Sequence, residues 1–81
     1  PAAPALLEAA LSLDDSIAYL LRCDRVDFPP GGIAYTHTHR GPGIRCLLTG
    51  SIRIETGGDV HDIRPGQAWF ETGYDPVLAI A

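Results

Sequence analysis

From residue 33 onward, apolar and β-branched residues come in short runs separated by breaks rich in glycine, proline, threonine and aspartate. The runs occupy residues 33–38, 44–48, 51–55, 60–63, 67–71 and 77–80, and the separators read RGPG, TG, TGGD, RPG and TGYDP. Each separator carries turn chemistry. Short strands at such close spacing predict an all-β fold, a sandwich or a barrel. Upstream, IAYLLRCDRVDF (residues 17–28) is rich in strand formers, and its later part alternates before the hard break PPGG at 29–32. Leu7 and Leu11, four apart behind Pro4, predict a short helix or turn over residues 4–11, followed by a loop at SLDDS.

Composition narrows the classes without choosing among them. At 81 residues the chain is one small domain, and such a chain buries only about 60–65% of the surface it exposes when unfolded. A net charge of −4 argues against a nucleic-acid partner, because phosphate backbones select basic surfaces. All six cationic residues are arginine, which removes lysine Schiff-base chemistry and a phosphate-loop lysine. No apolar run approaches the ~20 residues of a membrane-spanning helix, so no membrane partner is expected. The alanine-rich opening has no basic flank of the kind a signal peptide carries. Cys23 and Cys46 lie in apolar runs without CxxC spacing, and are expected as buried thiols in a reducing, cytoplasmic compartment. The chain starts at Pro1, contains no Met and stops at PVLAIA within a strand-like run, which suggests a segment trimmed from a longer protein.

The chemistry concentrates in THTHRGPGIRCLLTG, residues 36–50. Side chains two apart share a strand face, so His37 and His39 project together, with Tyr35 and Ile33 if the strand is regular. Paired imidazoles suit Zn, Cu, Fe or Ni. A solvent-facing polar pair at a strand end is the plainer alternative, since HxH alone is weak evidence. No glycine-rich sequence has phosphate-loop form and no serine sits in a nucleophile elbow.

Residues 31–50 resemble the first signature of the cupin superfamily, G-x5-H-x-H-x3,4-E-x6-G. Gly31 stands five residues before His37, His39 follows, and Gly50 closes the motif. The second signature is matched only loosely by PGQAWFETGYDPVLAIA. The family's glutamate ligand would fall at Gly43, beside Ile44. Its later histidine would fall near Pro76 or Val77, and its asparagine near Ile80 or Ala81. Only two of the four family ligands therefore carry over, fewer than the three a catalytic metal site usually takes from its protein. Glu71 lies on the strand that faces the first motif in cupins and is the candidate third ligand. His61 is the weaker candidate, expected on the surface, and Cys46 is expected in the core. Arg45, two beyond the vacant glutamate position, would point a guanidinium inward, where it could anchor a substrate carboxylate and would disfavour a metal. Tyr35 and Trp69 are candidate pocket-wall aromatics.

The resemblance implies a cupin-type double-stranded β-helix, a jelly-roll barrel, over residues 17–81. That barrel would be truncated at its C-terminus, preceded by an N-terminal helix or loop extension over residues 1–16, and paired in a homodimer. Two functions follow. The first is a pocket that binds a divalent transition metal (Zn, Fe, Ni, Cu or Mn) through His37, His39 and Glu71 and acts on a small organic acid held by Arg45. The alternative is a non-catalytic cupin that binds a small-molecule ligand with no metal. Whether the protein is an enzyme stays open at this level.

Overall fold

The computed structural model describes residues 4–81, and its strands form where turn residues bracket β-branched runs. They are β1 (Ile33–His37), β2 (Gly43–Cys46), β3 (Ile52–Thr56), β4 (Asp59–Ile63), β5 (Ala68–Glu71) and β6 (Val77–Ile80). All pairings are antiparallel: a four-stranded sheet in the order β1-β6-β3-β4, and a two-stranded sheet of β2 and β5. The fold is thus all-β, as the alternation of runs and turns predicts.

Position in the sheet follows composition. β6 (VLAI) is apolar on both faces and lies inside the four-stranded sheet, where both faces can be covered. β4 (DVHDI) carries its charges on the edge, where unpaired backbone would otherwise invite aggregation. Between β3 and β4, Gly57 and Gly58 adopt φ values of 59° and 80°, the two positive angles of a type I′ hairpin turn.

Ile54, Ile63, Val77 and Ala79 are buried, and Phe28, Ala34, Leu47, Ile52 and Trp69 pack against them. Leu47 and Trp69 reach this cluster from the β2–β5 side, so the core lies between the two sheets. It is small. Each fully buried aliphatic side chain contributes about 1.5–3 kcal/mol, so single core residues weigh heavily in a marginal domain. Ile54 is 2% exposed. Ile54→Ala is expected to cost about 2–5 kcal/mol, read as a fall in urea midpoint at unchanged slope.

Four expectations need correction. No helix forms among the described residues, including 4–11; eight residues with little packing surface are too short to sustain helix nucleation. Residues 1–3 of the expected extension lie outside the described residues. The run 17–28 has strand-forming residues but joins neither sheet, because a strand exists only where a partner edge pairs with it. The six strands do not close into a barrel; β2–β5 hydrogen-bonds to neither edge of the larger sheet. Cys23 and Cys46 are exposed free thiols rather than core residues. No helix of the described residues is long and apolar enough to cross a membrane.

Candidate functional site

The pairing of β2 with β5 determines which side chains meet. Gly43 lies opposite Glu71 and Arg45 opposite Trp69. All four are buried or partly buried, whereas Ile44 and Cys46, of opposite parity, are exposed. The inner face of this ladder is therefore its polar face. Arg45 occupies the space that the missing Gly43 side chain leaves: its Nη1 would be 3.1 Å from a Cβ there, and it donates to Gly43 O at 3.4 Å. The open position at Gly43 is covered by a guanidinium.

Glu71 is the buried carboxylate among the described residues, 5% exposed. Its Oε2 accepts from Trp69 Nε1 at 2.8 Å, an i, i+2 contact along one face of β5. Its Oε1 lies 3.3 Å from Arg45 Nε and 3.3 Å from His39 Nε2. Neither approach is aligned as a hydrogen bond, so Oε1 has no hydrogen-bond partner in the structure. A buried carboxylate oxygen in that state is costly to desolvate, and native proteins tend to give such atoms a partner or a function.

The histidines reach Glu71 through a bulge. In the ladder with β6, Ala34 pairs with Ala79 and His37 with Val77, so three residues of β1 span what two of β6 span. One extra residue reverses which side chains face the core beyond it. Tyr35 is consequently 77% exposed, although it has the same parity as His37, and its side chain points to solvent rather than forming a pocket wall beside the histidines. It contributes its backbone instead. His37 Nδ1 lies 2.6 Å from Tyr35 O. A carbonyl only accepts, so Nδ1 carries a proton and Nε2 is the nitrogen left to offer a lone pair to a ligand.

His37 Nε2 and His39 Nε2 are 3.1 Å apart, with ring centroids 4.7 Å apart and planes at 79°. Two such nitrogens at that distance must share a proton or a cation. His39 is held from its backbone: its N–H donates to Gly73 O at 2.8 Å. Pattern alone did not indicate Gly73; its only signal was membership of the TGYD turn. That turn is pinned by Thr72 Oγ1 donating to Asp75 Oδ2 at 2.9 Å and by Asp75 N–H donating back to Thr72 Oγ1 at 3.1 Å.

The contacts run in a line, His37 to His39 to Glu71, with Arg45 and Trp69 at the far end. Among the described residues no three His, Cys, Asp or Glu side chains are gathered so as to hold a metal ion as they stand. His61, on the edge strand β4, is exposed and takes no part. Two grooves of about 450 Å³ lie elsewhere. One is lined by β3, β4 and β6 residues including Arg53 and Asp62, the other by residues 10–13 with Pro42, Phe70, Thr72 and Tyr74. Neither is lined by His37, His39 or Glu71. In comparisons with known proteins, no family model, curated protein or solved structure matches the chain.

Proposed function

We propose that this domain binds a divalent transition metal through His37, His39 and Glu71, with a small organic anion as co-ligand, in a site of cupin type. The observation that carries the reading is the buried Glu71 Oε1, without a hydrogen bond and 3.3 Å from His39 Nε2, which is itself 3.1 Å from His37 Nε2. Donors that share one ion at 2.0–2.2 Å stand about 3.0–3.5 Å apart, so both separations suit neighbouring ligands. His37 also has the arrangement common to metal-ligating imidazoles, its other ring N–H given to a backbone carbonyl. A cation in place of the shared proton would meet two nitrogen lone pairs and the orphan oxygen. Binding requires the three side chains to gather from their line onto one ion.

Arg45 shapes what else can enter. With two neutral imidazoles, one carboxylate, one guanidinium and a divalent ion, the site would carry an excess of two positive charges. A small carboxylate would offset half of that excess, a dicarboxylate all of it, and either would take the remaining N–H donors of Arg45. The bound metal would supply Lewis acidity to such a ligand. Free thiols at Cys23 and Cys46 fit a reducing cytoplasm.

A second reading is favoured by a specific contact. Arg45 Nε already faces Glu71 Oε1 at 3.3 Å, so the carboxylate has a resident cation and the domain could bind an organic anion without metal. Calorimetric titration with Zn²⁺ and with Ni²⁺ separates the two. The metal reading expects one equivalent bound, and loss of that binding in the His37→Ala/His39→Ala variant. Absence of binding to the wild type, or equal binding by the double variant, refutes it and leaves the metal-free reading.

A further inference from the structure

The two oxygens of the Glu71 carboxylate are treated differently, and burial alone does not explain why. Oε2 accepts from Trp69 Nε1 at 2.8 Å. Oε1 has no hydrogen bond, although Arg45 Nε and His39 Nε2 each stand 3.3 Å away. The last torsion of a glutamate side chain is broad, so the plane of a buried carboxylate is set by its partners. Here two partners compete for it. A guanidinium binds a carboxylate best through two parallel N–H···O bonds, which take both oxygens. Arg45 already faces Oε1, and completing that fork needs Oε2, which Trp69 holds.

Trp69 is suited to the task. Its ring N–H only donates, so the direction of the bond is fixed. The residue stands two before Glu71 on β5, opposite Arg45 in the register, and its side chain packs against the buried cluster of Ile54, Ile63, Val77 and Ala79. We propose that Trp69 is a positioning residue for the metal site: by holding Oε2 it keeps Glu71 from closing on Arg45 and from chelating, so that Oε1 alone is offered toward His39. This rests on the metal reading above and adds a binding mode to it, one oxygen from Glu71 with the indole N–H retained behind it. A donor behind a ligating carboxylate fixes its orientation, as the Tyr35 carbonyl does for the His37 ring.

Trp69 is the single tryptophan of the chain, so an analogue supplied in place of tryptophan enters at this position alone. Benzothienylalanine exchanges the ring N–H for sulfur at nearly the same shape, and 5-fluorotryptophan keeps the N–H as the conservative control. Circular dichroism checks that the three chains fold alike. Titration with Co²⁺ reads affinity and, through d–d bands whose intensity falls as coordination number rises, the number of donors. The benzothienyl chain is expected to bind Co²⁺ at least ~10-fold more weakly than the tryptophan chain. Its d–d bands at saturation should be weaker, because Oε2 is then free to join the ion. Fluorotryptophan is expected to restore both. A second measurement needs no replacement: in the ¹⁵N-labelled tryptophan chain, the indole N–H should exchange slowly with solvent before and after one equivalent of Zn²⁺ is added. A tryptophan chain that binds neither metal removes the site and this role together. Four results would overturn the role of Trp69 while leaving the site: equal binding in all three chains, weaker binding with unchanged bands, an equal loss in the fluorotryptophan chain, or an indole N–H that exchanges rapidly once Zn²⁺ is bound.

Discussion

Replacing Glu71 by alanine is expected to lower the unfolding free energy by about 3 kcal/mol, a large share of what a domain this small commands. The reason is what the substitution leaves behind. Arg45, whose side chain is two-thirds covered, loses the carboxylate 3.3 Å away, and Trp69 Nε1–H loses its 2.8 Å acceptor. A partner stranded in the interior costs more than the intact pair stabilises. Glu71→Gln keeps an acceptor for Trp69 and most of the volume, so its loss should be smaller, about 1–2 kcal/mol. Arg45→Met/Glu71→Leu removes both charges together and should recover most of the alanine loss, as apolar replacements of ion pairs often do. Urea denaturation of the four chains measures the series. If the double variant were no more stable than Glu71→Ala, the pair would not be what couples these residues. The same variants separate stability from function: Glu71→Gln and the double variant should fold yet bind Zn²⁺ at least ~10-fold more weakly.

Much of this was legible in the chain before its fold was known, and the remainder failed for identifiable reasons. Turn chemistry located all six strands, since Gly, Pro and Thr-Gly breaks act locally and need no tertiary partner. Parity predicts Arg45 on the face of Gly43, whereas Glu71 is a candidate only through the family resemblance; its register opposite Gly43 is a matter of strand pairing that a single sequence does not display. Tyr35 was misplaced because a bulge between Ala34 and His37 inserts one residue, and an alternating pattern has no means of registering it. Cys46 was assigned to the core on the strength of its apolar neighbours, yet the inner face of β2 belongs to Gly43 and Arg45. Residues 17–28 have the composition of a strand without an edge to join, and pairing is a property of two segments rather than one. Closure of the strands into a barrel likewise depends on which edges meet.

Gly73→Ala carries the other large expected effect, and it reaches the site without touching a candidate ligand. Gly73 has φ +93°, a region where a side chain is strained, and an added Cβ would stand 2.6 Å from both the carbonyl carbon and the oxygen of Gly41. Those are backbone atoms, so no rotamer change relieves the overlap. The loop bearing Gly41 must move, and that loop follows directly on His39, whose N–H is bound to Gly73 O at 2.8 Å. Strain and overlap together should cost about 2–5 kcal/mol. Displacement of His39 should also weaken Zn²⁺ binding at least ~10-fold, because His39 Nε2 is the contact shared by His37 and Glu71. Gly58→Ala is the control. Its φ of +80° is equally left-handed but a Cβ there meets nothing within 4 Å, so it should cost only the backbone strain of about 1–2 kcal/mol and leave metal affinity unchanged. Equal losses of metal affinity in the two variants would mean that general destabilisation, rather than the position of His39, governs the site.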